Sequence, residues 1–380
     1  MEPMTPRKAA TLPSSMRRRL MMMAAATLAL ATAATACSDT KTSSTSTTSA
    51  PAANTAPTGK TIDYATLTGT LNGSGSSFQD TLEQKAKTLF AAKATNVTVN
   101  YTKSGSKAGK ADLANQIKQF AGTDSAVGAS DPPFKGGDIL YFPIAAAPIT
   151  IAFHVTGLTQ LSLTADTLAG IFQGDITTWN DPKIAADNSG ITLPSTKIAV
   201  VRRSDGSGTT SNFTKYLKKA SPLWKLDAGD TVQWPASTVP AEKSSGVATT
   251  ISKTDGAVGY VDLADAANAN LDMAKVKNKA GTFVAPTLDA ASAALEGTTP
   301  KADLTYDPLD APGAAAYPIT SPTWVIVYKK QPDAATAQAL IGYLNFFLTD
   351  VQVAAKGVGY AALPSSLQQK AVAQLDQITS

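Results

Sequence analysis

Ile198-Ala199-Val200-Val201-Arg202-Arg203-Ser204-Asp205-Gly206-Ser207-Gly208-Thr209 is the stretch from which the fold can be read. Four aliphatic residues form a short strand pattern, a Gly/Ser loop with two arginines and an aspartate follows, and residues 210–219 are helical in pattern. The same succession recurs upstream. Residues 65–71 read as a strand that runs into Asn72-Gly73-Ser74-Gly75-Ser76-Ser77-Phe78, and a helical face of Phe78, Leu82, Ala86, Leu89 and Phe90 follows. Residues 97–101 alternate as a strand and lead through Ser104-Gly105-Ser106-Lys107-Ala108-Gly109 into a second amphipathic helix carrying Leu113, Ile117 and Phe120. Residues 126–129 form a third short strand that ends at Ser130-Asp131-Pro132-Pro133. Strand, Gly/Ser loop and helix in repeated order predict an α/β fold with mainly parallel sheets.

The loops carry the chemistry. Where a strand gives way to a helix, the first helical N–H groups lack partners and the dipole end is positive. Glycine lets backbone approach a ligand closely, and Ser or Thr adds a hydroxyl donor. Several such loops at the carboxyl edge of a sheet would bind a small oxyanion with few cationic side chains. The alternative for any single loop is that Ser and Gly merely cap helices and form turns.

Two apolar passages bear on domain organisation. One lies in residues 139–155, with Tyr141-Phe142-Pro143-Ile144 and Pro148-Ile149-Thr150-Ile151-Ala152-Phe153. The other is Tyr317-Pro318-Ile319-Thr320-Ser321-Pro322-Thr323-Trp324-Val325-Ile326-Val327-Tyr328. Each reads as a buried strand able to cross between lobes, which makes the first lobe discontinuous. A chain of 380 residues fits two domains.

Composition removes several function classes. One cysteine excludes a disulfide framework and any multi-thiolate metal site within the chain. One histidine excludes a His-rich zinc site or an H-E-x-x-H metalloprotease. The formal charge of +4 comes from the amino terminus, where Arg7, Lys8, Arg17, Arg18 and Arg19 face only Glu2. With those set aside, basic and acidic side chains balance, so the bulk charge carries no nucleic-acid footprint.

The arginines precede an uncharged run, Leu20 through Ala36, rich in Ala and Thr; this describes a secretory signal better than a membrane span. Residues 1–36 are therefore expected to be a signal segment. Ala34-Thr35-Ala36-Cys37 resembles a bacterial lipoprotein box in which the cysteine is lipidated, with Ala34 where leucine is usual; an ordinary signal peptide ending beside a free Cys37 is the alternative. Residues 37–60 hold almost only Ser, Thr, Ala, Pro, Lys and Asp and read as a disordered tether.

Taken together the loops resemble a known family, the substrate-binding lipoproteins of the bacterial high-affinity phosphate ABC transporter. The most specific mark is Ala199 to Thr209, close to that family's A-V-V-R-R-x-D-G-S-G-T signature. Gly128-Ala129-Ser130-Asp131 matches its G-A-S-D loop, and Gly73-Ser74-Gly75-Ser76-Ser77-Phe78 its G-A-G-[AS]-[ST]-F loop. Ala257-Val258-Gly259-Tyr260-Val261, Pro318-Ile319-Thr320-Ser321 and Tyr360-Ala361-Ala362-Leu363-Pro364 add weaker support. The resemblance implies a two-lobed periplasmic-binding-protein fold of the type II, Venus-flytrap kind, hinged and closing on one phosphate. Lobe I would take residues 61–147 and about 270–380, and lobe II residues 148–269.

Carried over by position, the resemblance implies that Ser77 supplies a hydroxyl and an N–H, Phe78 an N–H, and Ser106 a hydroxyl from the second loop. Asp131 would accept, Arg203 would supply charge, and Ser207, Gly208 and Thr209 would donate from the opposite lobe. Asp205 would hold the Arg203 guanidinium. The second loop departs from the family's G-S-G-G-like run, with Lys103, Lys107 and Lys110 around Ser106. A carboxylate in an anion site is useful only toward a ligand with a proton to donate, as hydrogen phosphate has and sulfate lacks. By itself, an Asp before Pro equally makes a turn.

The expected partners are inorganic phosphate, membrane permease subunits and, through lipid, the membrane; no nucleic acid, cofactor or metal is expected, and the protein is expected to be a monomer. A receptor for sulfate, molybdate or tungstate, a secreted phosphoester hydrolase, and a surface lipoprotein for adhesion or signalling are the rival readings. Gly105-Ser106-Lys107-Ala108-Gly109-Lys110-Ala111 is one residue short of a P-loop and ends in alanine. Ser104 to Lys107 satisfies S-x-x-K without the S-D-N or K-T-G companions, and His154 stands in an apolar strand as a structural residue.

Overall fold

Two prolines sit inside the longest strand of this protein, and each marks a place where the sheet changes. The computed structural model describes residues 58–380, so the expected signal segment, Cys37 and the tether up to residue 57 lie outside the described residues. Strand β1 (Gly69–Gly75) pairs in parallel with β2 (Val97–Thr102) and with β3 (Phe120–Thr123). Strand β4 (Ile139–His154) is sixteen residues long. The remaining strands are β5 (Ser162–Leu163), β6 (Ala199–Arg203), β7 (Val239–Ala241), β8 (Ala257–Asp262), β9 (Asp272–Met273), β10 (Lys275–Lys277), β11 (Phe283–Val284) and β12 (Thr320–Tyr328). The main sheet runs in the order β2-β1-β3-β12-β4-β8-β6-β7, with β9 also on β4. Strands β6, β7 and β8 are mutually parallel, whereas β12 and β4 run antiparallel to their neighbours.

Along β4 the partner changes. Ile139 to Pro148 face β12, and Ile149 to His154 face β8. Pro148 has no N–H for the ladder, which suits the position where one partner ends and the other begins. Pro143 lies opposite Trp324, beside the register shift between Thr323 and Trp324, a β-bulge of the kind that accommodates proline within a sheet. Ile149 N–H donates to Ile319 O and the Tyr317 hydroxyl to Ile149 O, so the second apolar passage meets the first at this switch. One strand thus belongs to both halves of the sheet, and its residues from Leu140 to Phe153 are buried throughout.

Helices α1 (Asp80–Lys93), α2 (Ser106–Ala114), α3 (Ala165–Phe172), α4 (Pro182–Asp187), α5 (Gly208–Ala220) and α6 (Lys243–Ser252) connect these strands. Helices α7 (Leu263–Asn268), α8 (Leu288–Glu296), α9 (Ala334–Leu348), α10 (Asp350–Ala355) and α11 (Ser365–Gln374) complete the described residues. Six of these eleven starts follow capping chemistry: Thr164, Asp181, Ser207, Asp262, Thr287 and Asp333 each accept an N–H from the first turn. The architecture is the α/β class read from the sequence, with parallel strands on both flanks of a central antiparallel pair.

Three local readings need correction. The first strand starts at Gly69, because residues 64–66 form a 3-10 turn capped by Asp63. The second helix stops at Ala114; Ile117, expected on its buried face, is 62% exposed, and Phe120 opens β3. Helical spacing alone could not separate a helix of four turns from a helix, a turn and a strand. Consequently residues 126–129 are loop, and the third strand is Phe120–Thr123. The return of the chain, expected near residue 270, comes later: β9 still pairs with Ala152 and Phe153 and β10 with β5, and β12 is the next to join the first half.

Gly75 fixes the approach to the first loop. Its φ is +136°, a methyl there would lie 2.1 Å from Gly122 O, and a methyl on Gly109 of α2 would lie 2.4 Å from Gly75 Cα. Strand, strand and helix therefore meet at van der Waals range only because these positions lack Cβ. Beneath them, Glu83 is fully buried on α1, with Tyr343 OH donating to Oε2 (2.8 Å) and Gln79 Nε2 to Oε1 (3.0 Å). Burial raises the Glu83 carboxyl to about 7, the two hydrogen bonds only partly opposing it.

Gly75→Ala is expected to lower the unfolding free energy in urea by about 2 kcal/mol or more, since the new methyl meets backbone and an unfavourable φ together; a wild-type transition would contradict this packing. Glu83 holds its proton in the folded state at pH values where the unfolded chain has lost it. Its contribution is therefore complete below about pH 4.5 and is lost as pH rises through about 7. Relative to Glu83→Gln, wild type should lose on the order of 3 kcal/mol between those limits; parallel stability–pH profiles for the two proteins would contradict it.

Candidate functional site

The carboxyl ends of the parallel strands from both halves of the sheet meet. From the first half come Ser76, Ser77 and Phe78 after β1, Ser104 to Ser106 after β2, and Asp124 after β3. From the second come Arg203 to Thr209 after β6, Lys243 and Ser244 after β7, and Asp262 at the end of β8. Contacts cross between them. Ser77 Oγ lies 3.2 Å from Ser244 Oγ, Lys107 N–H donates to Gly206 O (3.3 Å), and Lys243 Nζ donates to Ser104 O (3.2 Å).

Asp124 is the carboxylate at the centre, with 1% of its surface exposed. Ser76 Oγ lies 2.7 Å from both of its oxygens, Thr323 Oγ1 2.7 Å from Oδ1, and Ser106 Oγ 3.3 Å from Oδ2. Asn212 Nδ2 on α5 donates to its carbonyl at 2.5 Å. Burial raises the Asp124 carboxyl to about 6, while Ser76, Thr323, Arg203 and Ser106 hold it from rising further. It is thus mainly ionised at neutral pH and ready to accept a proton donor.

Arg203 supplies charge. Its guanidinium is 4% exposed as a residue and is gripped by Asp205, Nε to Oδ1 at 2.8 Å and Nη2 to Oδ2 at 2.5 Å. Such a fork fixes the plane of the guanidinium as well as its position. Asp205 also accepts from the Lys243 N–H at 3.0 Å, and despite burial these partners keep its carboxyl below the usual range. Tyr260 OH accepts the Arg203 N–H at 3.1 Å and so ties the end of β6 to β8.

The N-terminus of α5 closes the group. Ser207 caps it by accepting the Thr210 N–H, and Gly208 brings backbone close enough that a methyl there would lie 2.7 Å from Ser106 Oγ and 2.8 Å from Asp124 Cβ. The first N–H groups of a helix have no intrahelical acceptor. Thr209 Oγ1 is buried and has no hydrogen-bond partner among the described residues. A buried hydroxyl left unpaired calls for an acceptor, and Ser104 Oγ and Asp262 Oδ2 at the same edge are likewise buried without a partner among the described residues. Phe78 anchors the opposite side, its carbonyl accepting from the Tyr360 hydroxyl at 2.5 Å and its N–H donating to Ser76 Oγ at 3.0 Å.

The structure brings together Ser77, Phe78, Ser106, Arg203, Asp205, Ser207, Gly208 and Thr209. It does not bring Asp131 to them. Asp131 Oδ2 accepts the Gly128 N–H at 2.9 Å, and Asp131 N–H donates to Gly128 O at 3.0 Å, which is the turn that an Asp before Pro makes. Its carboxylate is also paired with Lys110 Nζ at 2.8 Å. The place expected for it is taken by Asp124, seven positions earlier, where Gly122-Thr123-Asp124 directly ends β3. The motif points to Asp131 rather than Asp124 because Gly128 to Asp131 repeats the same small-small-Asp pattern a few residues later, and only the end of β3 at Thr123 separates the two. Ser76, Asn212, Ser244 and Thr323 were also missed. Thr323 was beyond reach of local sequence logic, since its hydroxyl is delivered by a strand about two hundred residues away. His154 ends β4 exposed and outside this group.

Comparison with known proteins places the chain. The family model described as a PBP superfamily domain matches residues 31–351. The phosphate-binding protein PstS of Xylella fastidiosa (strain 9a5c) is 33% identical over 303 residues, spanning 78% of this chain and 82% of its own length. The phosphate-binding protein PstS 2 of Mycobacterium tuberculosis (strain ATCC 25618 / H37Rv) is 32% identical over 326 residues, 81% and 87% of the two lengths. Among solved structures, the high-affinity periplasmic phosphate-binding protein PfluDING, bound with phosphate, gives a TM-score of 0.66 at 23% identity, covering 80% of this chain and 94% of its own. The phosphate-binding protein from Stenotrophomonas maltophilia gives 0.61 at 20% identity, covering 80% and 94%. At those identities the structural matches speak for the shared two-lobed α/β fold, while the sequence matches speak for descent. The chain belongs to the PBP superfamily and, within it, to the family of the phosphate-binding proteins PstS.

Proposed function

We propose that the loops around Asp124 bind one inorganic phosphate and that the protein is an extracytoplasmic receptor handing it to an ABC transporter permease. The observation that carries this reading is a buried carboxylate set against a helix N-terminus, an unpartnered hydroxyl and one fork-held guanidinium. The N–H groups of Ser77, Gly208 and Thr209, with the hydroxyls of Ser77, Ser106, Ser207 and Thr209, donate to oxygens of the ligand, and Arg203 offsets its charge; the Phe78 N–H, expected to join them, is given to Ser76 Oγ and steadies the loop instead. Asp124 accepts the proton that hydrogen phosphate carries. Toward sulfate the same carboxylate leaves two acceptors facing each other in a dry site, which costs the full desolvation of both. That asymmetry favours phosphate over sulfate, molybdate or tungstate. The group serves binding and release, with the two halves parting about β4, rather than catalysis.

Anchoring completes the reading. Cys37 is proposed to be lipidated after removal of residues 1–36, with residues 38–60 as the tether; no helix among the described residues is long and apolar enough to cross a membrane. One acyl chain holds a protein only marginally, so the anchor needs more than one.

Titration calorimetry with phosphate and sulfate at pH 8 tests the reading. Phosphate should bind far more tightly; comparable affinities would refute it. Arg203→Ala should weaken phosphate binding at least tenfold, about 1.4 kcal/mol. Asp124→Asn should narrow the preference over sulfate, whereas Asp131→Asn should leave it in place. As pH falls through about 6, Asp124 gains a proton and can donate to a fully ionised anion, so the preference of wild type should shrink between pH 8 and pH 5. A preference that is constant with pH would remove Asp124 from the role given to it. In the native bacterium, Cys37→Ala should shift the protein from membranes to the soluble or secreted fraction.

A further inference from the structure

Lys110 is one of the largest fully buried side chains of the protein, and nothing in the binding group uses it. Its Nζ lies 2.8 Å from Asp131 Oδ2, 2.9 Å from Asp230 Oδ2 and 3.2 Å from Ser125 Oγ, with 2% of the Lys110 side chain exposed, 2% of Asp131 and 10% of Asp230. The partners come from opposite sides. Lys110 on α2, Ser125 and Asp131 belong to the β1–β3 side. Asp230 follows α5: its carbonyl accepts the Ser207 N–H at 2.8 Å, and the preceding Gly229 N–H donates to Thr214 on α5. No group among the described residues gives Asp230 Oδ2 a hydrogen bond, so the Lys110 ammonium meets it as an ion pair and is its one close charged partner. The other contacts across the cleft close to the loops are neutral pairs or the partly exposed Lys243, so among the described residues Lys110 with Asp230 is the most buried ion pair joining the two sides.

Charge arithmetic gives this pair a direction. One ammonium serves two carboxylates, and both are stripped of water only while the sides are together. Parting them returns Asp230 to solvent and leaves Lys110 with Asp131. Removing Lys110 instead leaves two carboxylates facing each other in a dry seam, a state that strongly disfavours closure. Because Asp230 also holds the backbone of Ser207, the pull of Lys110 reaches the cap of α5 without touching any ligand.

We propose that Lys110 is a positioning residue for the phosphate receptor reading above, latching the α5 side to the α2 side through Asp230 so that bound anion is released slowly. The inference rests on that reading for its ligand. In the full chain, Lys110→Met should weaken phosphate binding at least tenfold, with the dissociation rate carrying most of the change and the association rate little of it. Asp230→Asn, which keeps the Lys110–Asp131 pair, should give a smaller loss in the same direction. The double variant should lose less than the two single losses combined, because each removes the same contact. Small-angle scattering with saturating phosphate should show a larger radius of gyration for Lys110→Met than for wild type. Wild-type dissociation rates in both single variants, or strictly additive losses, would overturn the latch. A wild type that takes no phosphate would overturn the ligand reading alone, and the latch would then stand or fall on whether Lys110→Met changes the radius of gyration of the unliganded protein.

Discussion

A carboxylate with almost no exposed surface can persist in a folded protein only if its surroundings answer both of its oxygens. Asp124 meets that condition with hydroxyls from three places: Ser76 at the end of β1, Ser106 at the start of α2 and Thr323 on β12. Those three hydroxyls cannot be assembled unless β1, β3 and β12 lie side by side and the bulge at Thr323 turns its side chain the right way. The glycines at 75 and 109 let the strand and helix close to the necessary distance. The opposite side is then constrained in turn, since Gly208 must come within methyl range of Asp124 for the start of α5 to face it. One buried charge thereby ties together sheet order, loop length and the choice of residues without side chains.

The same accounting separates what local sequence could tell from what it could not. The stretch from Ala199 to Thr209 was fully legible: a strand, a turn-rich loop and a capped helix follow one another with no tertiary information needed, and Arg203 and Asp205, two residues apart, find each other locally. Ser77, Phe78 and Ser106 were legible for the same reason, each standing where a strand feeds a helix. The aspartate was not, because two small-residue loops ending in Asp follow one another within a dozen positions. Only the strand boundary distinguishes them, and that boundary is set by pairing of Phe120 to Thr123 with β1 and β12. Partners such as Thr323 and Asn212 act across the fold and leave no local trace.

The misread aspartate has a chemical logic of its own. A lysine as buried as Lys110 needs anionic partners as surely as a buried anion needs donors, and Asp131 provides one within the same half of the sheet. Two carboxylates close in sequence thus serve opposite electrical ends: Asp124 is proposed to turn away an anion that brings no proton, while Asp131 steadies a cation. Near Asp124, Arg203 and the helix terminus supply the positive potential, and their strength depends on exclusion of water, which the neutral contacts between Ser77 and Ser244 and between Lys107 and Gly206 help to maintain.

The passage of β4 from one set of neighbours to another has a mechanical consequence. Had a loop joined the halves, they could swing in any direction and would have to search for alignment at every encounter. A strand laddered to β12 over residues 139–148 and to β8 over residues 149–154 resists stretching, and it is least held where one ladder hands over to the other at Pro148, which has no N–H to give. The parting proposed for the two halves would turn about that point, and a continuous strand between them would return the proposed donors to the same register.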